Sequence, residues 1–339
     1  MRQRVTLLFD AESTNAPDER DNRRQVEEVG AALKRLGHTV RELPVGPDLA
    51  ALSGKDTKAL GIAFNLVEGL GAAHFLYTAV AHFLEWRGIP VTGASGDQLL
   101  TVSNKLILRR MIPPGTAVMP ALPGEPGSGG RFIVKSVCEH SSHGLGPDSI
   151  VKRDDVAAAI AERETRFGGQ WFAETFIPGR EFSIGGIATA KGVELLPPSE
   201  ILFGEVPAGY PKILDYASKW EEGANEFART PRQLLDARAE PALHARIMSS
   251  SRALWEGLGL RGYARFDYRL SKTGKLFLID VNANPCLTSD AGFMAAAAVS
   301  GRPFDETIAV ILAAALLPVR AYPPLNMPES PGRKFAAGD

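Results

Sequence analysis

The sequence predicts an open parallel α/β layer followed by a larger α+β region, and three observations carry that reading. Apolar strand-like runs alternate with amphipathic helical segments over residues 1 to about 95. Residues 113 to 130, rich in proline and glycine, then break the pattern. Beyond Arg131, short β-type runs are interrupted by alanine-rich helical stretches, with no internal repeat.

Residues 5 to 9 form a continuous apolar run ending at Asp10, as expected for a strand buried on both faces of a parallel sheet. Val26, Val29, Leu33 and Leu36 recur at helical spacing, and Gly37 is placed to close that helix before a strand over 39 to 43. Residues 61 to 67 read as the next strand, and an amphipathic segment over 75 to 86 ends at Gly88, before Ile89-Pro90-Val91. In the second half, strands are expected at 132 to 135, 171 to 176, 182 to 187 and 276 to 280, with helices over 154 to 166 and 240 to 257. From Pro318 the chain turns proline-rich through Pro331, a tail expected to wrap the surface or fray.

Composition narrows the partners. Lys+Arg of 38 against Asp+Glu of 39 leaves a net charge of -1, so no global field recruits nucleic acid or an anionic membrane, and small molecules are the expected partners. The 2 cysteines, Cys138 and Cys286, are far apart and suit a reducing cytoplasm rather than a disulfide framework. The first residues lack the length and cleavage site of a signal peptide, and the alanine-rich stretch 307 to 319 is short for a bilayer, so a cytoplasmic protein is expected.

Three pieces carry chemistry. Lys135 ends a buried strand and is followed by the small-residue loop Glu139-His140-Ser141-Ser142-His143-Gly144, which could cradle phosphate; a solvated strand end is the plainer alternative. Ala173-Glu174-Thr175-Phe176-Ile177-Pro178 leads into Glu181, offering backbone groups to an adenine edge and a carboxylate to ribose hydroxyls, or else a plain β-hairpin. In the third piece Asp267 stands two residues from Arg265, and Asp280 two from Asn282, so that each pair shares a strand face. If the turn at Lys272-Thr273-Gly274 joins antiparallel strands, two carboxylates and an amide form an oxygen-only magnesium site beside a cation, manganese being able to substitute. Surface salt-bridging is the alternative, against which stands the cost of burying acids within Leu-Phe-Leu-Ile-Asp-Val.

Together these pieces, from about residue 60 to 300, resemble the ATP-grasp superfamily and, within it, the D-alanine–D-alanine ligase branch. Phe64-Asn65-Leu66-Val67-Glu68-Gly69 and Gly88-Ile89-Pro90-Val91-Thr92-Gly93 look like two further stretches of that branch. The resemblance implies a pre-ATP-grasp α/β domain at 1–95, a two-part ATP-grasp domain at 96–178 and 179–320, and the tail at 321–339. It implies ATP-phosphate contacts for Lys105, Lys135 and Lys219, and a closing serine loop at Ser141 and Ser142. Glu174, Phe176 and Ile177 would hold adenine and Glu181 ribose, while Arg265 would stabilise the transferring phosphoryl and Asp267, Asp280 and Asn282 would hold magnesium. Asn104 and Asp280 depart from the family's usual aspartate and glutamate. A homodimer is the implied assembly.

The implied reaction is ATP-dependent amide or peptide formation between a small-molecule carboxylate and an amine through an acyl phosphate, which needs positioned charge rather than a protein nucleophile. Ser141 lacks a hydrolase elbow around it, and zinc-type ligand spacing is absent. Departures gather on the substrate side: Glu12 lies in a loop unlike the family's, Glu68 and Trp220 replace its usual His and Tyr, and Ala291 falls in a stretch that otherwise bears serine. Glu12 and Glu68 could receive a cationic group and Trp220 cap an apolar face, or each could simply pack. A D-alanine–D-alanine ligase, and an ATP-binding sensor or scaffold without catalysis, are the alternative functions.

Overall fold

The computed structural model describes residues 2–11, 17–53, 57–70, 76–138, 142–204, 210–215 and 231–317. Glu12, Ser141, Lys219, Trp220 and the proline-rich tail lie outside them.

The first layer is a parallel sheet of β1 (Arg4–Asp10), β2 (Thr39–Val45) and β3 (Ile62–Asn65) in the order β2-β1-β3. β1 is central, and the apolar run supplies both of its faces, with Val5, Leu7 and Leu8 fully buried. Helix α1 (Pro17–Arg35) buries Val26, Val29 and Leu33 against it, but Leu36 falls beyond the helix and is 37% exposed. Gly37, at φ 85°, donates to the Lys34 carbonyl while His38 N–H reaches the Leu33 carbonyl, which is a Schellman stop. Short helices α2 (Ala50–Ser53) and α3 (Thr57–Leu60) precede β3, and α4 (Tyr77–Trp86) follows it. The expected strand at Ile89-Pro90-Val91 reduces to a single bridge between Ala63 and Val91. Pro90 accepts from Ala63 N–H but has no N–H to return, so a ladder cannot extend through it.

Helices α5 (Gly96–Ser103) and α6 (Lys105–Met111) lead to a small antiparallel sheet, order β5-β4-β6, of β4 (Phe132–Ser136), β5 (Ile150–Val151) and β6 (Trp171–Thr175). Helix α7 (Val156–Phe167) packs on it, and Phe132, Val134, Trp171 and Ala173 make its own core. The larger antiparallel sheet runs β10-β9-β7-β11-β12, with β8 off β7. Its strands are β7 (Gly179–Thr189), β8 (Gly192–Leu195), β9 (Ser199–Ile201), β10 (Arg232–Leu234), β11 (Tyr263–Ser271) and β12 (Leu276–Asn282). Helices α8 (Pro241–Gly257), α9 (Gly292–Val299) and α10 (Phe304–Ala314) pack around it.

The parallel sheet and the large sheet share their interiors. Leu8, Ala63 and Val67 pack in one cluster with Phe266, Tyr268 and Val281, and Val5 and Leu7 in another with Tyr263 and Phe293. Gly262, at φ 68°, lies so close to Gly93 that a Cβ would stand 2.3 Å from the Gly93 carbonyl carbon, so the backbones meet only because residue 262 carries no side chain. Residues 173 to 184 are not a hairpin: β6 pairs with β4, whereas β7 pairs with β11, and the chain crosses from one sheet to the other at Phe176-Ile177-Pro178.

Candidate active site

A cavity opens between the small and large sheets, and its floor is one face of β7, β11 and β12. The turn at Lys272-Thr273-Gly274 does join antiparallel strands, in a register that sets Arg265 opposite Asn282 and Asp267 opposite Asp280. On the other side Asp267 faces Ser183, and Arg269 faces Glu181. Period-two alternation then sorts the chemistry: Phe266, Tyr268 and Val281 point into the core, while Arg265, Asp267, Arg269, Asp280 and Asn282 line the cavity. The register shifts just after Asp267, a bulge of the kind that re-aims side chains beside functional sites.

Charges on this floor are closely coupled. Arg265 grips Asp267 through two nitrogens at 2.8 to 3.1 Å, and Ser183 Oγ donates to the same carboxylate at 2.6 Å. Lys105 Nζ lies 3.8 Å from Asp280 Oδ1; burial lowers the lysine's pKa, and Asp280 works in the opposite direction. Lys105 opens α6, whose N-cap is Asn104: its Oδ1 accepts from Leu106 and Ile107 N–H, a task asparagine performs as well as aspartate.

The small sheet contributes Lys135 and Glu174. Lys135 Nζ is 2.6 Å from Glu174 Oε1 and donates to the Ile279 carbonyl at 3.1 Å, so it is no solvated strand end. Glu174, 1% exposed, also receives Arg109 at 3.1 Å. Phe176 and Ile177 line the cavity on the crossover, and Ser142, at φ 64°, donates to the Leu214 carbonyl. Glu181 lines the cavity and pairs with Arg269 at 2.6 Å.

Three groups were missed in the sequence. Arg269 donates to the Lys212 carbonyl at 2.7 Å and reaches the Ile177 carbonyl, tying the crossover to the floor; it continues the Arg265, Asp267 alternation, which was signal enough. Arg109 stands one helical turn beyond Lys105. Arg232, on β10, lines the cavity from a strand too short to announce itself.

Glu68 and Ala291 are not among the residues lining the cavity. Glu68 accepts from Gln25 at 3.1 Å, and Gln25 accepts in turn from Leu287 N–H, while Asp10 accepts from the Glu68 and Gly69 N–H groups. Burial, then the nearby Asp10, pushes the Glu68 carboxyl up to about 7. The folded protein therefore holds a proton there that the unfolded chain, at about 4.3, has released, and stability falls as pH rises between these values. Glu68→Gln should melt above the wild type at about pH 8, by up to roughly 3 kcal/mol, and match it near about pH 4, as calorimetry at both pH values would show.

Among the described residues no three of His, Cys, Asp and Glu converge as a metal-holding group. The donors at hand are two opposed carboxylates and the Asn282 amide oxygen, all hard oxygens. Such an incomplete set fits magnesium, which completes its shell with water and substrate phosphates rather than with an all-protein cage.

Buried lysines, an arginine and hard oxygen donors thus face one cavity, the kind of positioned charge that phosphoryl transfer asks of a protein. Residues 131–313 match the family described as D-ala D-ala ligase C-terminus. The D-alanine–D-alanine ligase of Gluconobacter oxydans is 29% identical over 81% of this chain and 88% of its own, and that of Oleidesulfovibrio alaskensis 30% identical over 83% and 87%. The crystal structure of D-alanine–D-alanine ligase from Bacillus anthracis complexed with ATP shares the fold, with a TM-score of 0.69 at 17% identity over 93% of this chain and 97% of that one. The chain belongs to the D-alanine–D-alanine ligase family, and it is an ATP-dependent, ADP-producing ligase that joins a carboxylate to an amine. No described helix is long and apolar enough to cross a membrane.

Proposed function

We propose that the cavity floor performs the phosphoryl transfer of this ligase and that its preferred carboxylate and amine are not both D-alanine. The carrying observation is the register that opposes Arg265 and Asp267 to Asn282 and Asp280, with Lys105 and Lys135 reaching the same cavity. A substrate carboxylate oxygen attacks the γ-phosphorus of ATP and the bond to ADP breaks. An amine then attacks the acyl carbon, phosphate leaves with the carboxylate's oxygen, and the amine loses a proton. Lys105, Lys135 and, outside the described residues, Lys219 would neutralise the phosphates. Ser141, also outside them, and Ser142 would close over them. Arg265 would hold the transferring group.

Glu174, Phe176 and Ile177 would frame adenine and Glu181 the ribose. Asp267, Asp280 and Asn282 would hold magnesium, which when bound supplies Lewis-acid neutralisation of phosphate charge. A domain division at 1–95, 96–178 and 179–320, a cytoplasmic setting and a homodimer accompany this reading.

The substrate side supports a change of cargo. The departures are Glu68, which bonds to Gln25 and through it to the Leu287 N–H, together with Ala291, Glu12 and Trp220. Family members that carry the D-alanine–D-alanine ligase name make D-alanine the first compound to test. A substrate group left without its hydrogen-bond partner can be rejected by as much as about 10⁴-fold. D-Alanine alone, from micromolar to high millimolar, should release phosphate poorly beside a panel of carboxylate–amine pairs, with products identified by mass. Efficient D-alanyl dipeptide formation at low millimolar substrate would instead assign the narrower activity.

A further inference from the structure

One charged position of the cavity floor is left unused by the phosphoryl chemistry. Arg265, Asp267 and Arg269 succeed one another along the cavity face of β11, and Arg269 is only 4% exposed. Its guanidinium meets three separate stretches of chain. It pairs with Glu181 of β7 at 2.6 Å, donates to the Lys212 carbonyl at 2.7 Å, and reaches the carbonyls of Ile177 and Gly179, on either side of Pro178, at 3.4 and 3.5 Å. Its Cζ lies 5.8 Å from the centre of the Phe176 ring and 5.2 Å from that of Phe203. A planar fork of donors suits such a place, whereas a lysine ammonium would meet fewer of these acceptors at once. Glu181 is buried and lines the cavity, and among the described residues its carboxylate has no other side-chain partner.

Resting on the reading of Glu181 as the ribose carboxylate, we infer that Arg269 is a positioning residue for the nucleotide: by fixing Glu181 against the crossover it makes the enzyme select a ribonucleotide over its deoxy forms. A carboxylate buried this far holds its place only with a cation paired to it. Arg269 takes one of its oxygens, Oε2, and leaves acceptor sites for ribose hydroxyls, since a carboxylate offers about four in all. The pairing also offsets a negative charge that would otherwise repel the polyphosphate in the same cavity. Its reach to Ile177 and Gly179 sets the connector that frames adenine at a fixed separation from Glu181, so one side chain places the contacts to base and sugar together. Arg265 cannot take over this task, because it grips Asp267 through two nitrogens.

The test is titration calorimetry of the full chain, with magnesium present, using ADP, 2′-deoxy-ADP and 3′-deoxy-ADP, so that no organic substrate is needed. In the wild type ADP should bind at least about tenfold more tightly than one or both deoxy forms, the loss expected when a hydrogen bond to a charged group is missing. Arg269→Met, checked for folding by its melting curve, should bring that ratio within about threefold, Arg269→Lys should fall between, and Glu181→Ala should abolish the preference as Arg269→Met does. Equal weakening of all three nucleotides in Arg269→Met, with the ratio kept, would mark a structural staple and overturn the inference. If Arg269→Met does not fold, a wild-type ratio in Arg269→Lys overturns it in the same way. A preference lost in Glu181→Ala but kept in Arg269→Met removes only the role of Arg269. No preference in the wild type, or one that survives in Glu181→Ala, overturns the ribose reading along with it, while the ligase reading stands as long as ADP binds.

Discussion

Asp267→Asn should lower ATP-dependent turnover by at least one to two orders of magnitude, roughly 1.4 kcal/mol of transition-state stabilisation for each tenfold. The substitution is nearly isosteric, and Ser183 can still donate to the remaining oxygen at position 267. What changes is charge. Arg265 loses the carboxylate that it grips through Nε and Nη2, and the opposed pair Asp267 and Asp280 is reduced to a single anion. Both consequences fall on the phosphoryl group, where positioned charge carries most of the catalysis. ADP release titrated with magnesium, alongside a melting curve showing a folded variant, checks the prediction; near-normal turnover would remove Asp267 from the proposed metal site.

Glu174→Ala should cost stability as well as nucleotide affinity. Glu174 is 1% exposed and is the shared counter-ion of Lys135 and Arg109. Removing it leaves buried Lys135 without its carboxylate beside half-buried Arg109, which keeps only Glu125 at 3.8 Å, and breaking a buried ion pair from one side destabilises by about 3–5 kcal/mol. Glu174→Gln, which keeps the acceptor oxygen, should fall between that variant and the wild type. Thermal unfolding of both, with ADP titration carried out well below each melting point, separates the fold's loss from the site's. An unshifted melting temperature in Glu174→Ala would show that the cations re-solvate through the cavity and that Glu174 is not their anchor.

The cavity floor was legible because its signal is local. Arg265 and Asp267, and Asp280 and Asn282, are each spaced by two on a strand, and the glycine turn between the strands brings both pairs to one face. The cores of β1 and α1 were legible for the same reason, since periodicity writes burial into neighbouring residues. Leu36 shows where this stops: it keeps the helical spacing, but the Schellman turn at Gly37 ends the helix first. What could not be read is what depends on distant partners. Residues 173 to 184 look like a hairpin until β4 and β11 claim the two halves, and a local sequence carries no record of which strand it will pair with. Arg109, Arg232 and Arg269 look like ordinary surface arginines, because Glu174, Gly292 and Glu181 reach them from other elements. The substrate side was legible only as departure: Glu68 is visibly unusual, yet its link through Gln25 to Leu287 exists only in the folded chain.

The acyl phosphate is the centre of this account, and the path of one oxygen tests it most directly. With the carboxylate oxygens of the donor labelled with heavy oxygen, turnover in the presence of ATP, magnesium and an amine should deliver one labelled atom per cycle into the inorganic phosphate, and release should require both organic substrates. Unlabelled phosphate, or phosphate released at the same rate without the carboxylate, would mean that water and not a carboxylate attacks the nucleotide, and the ligase mechanism would be contradicted.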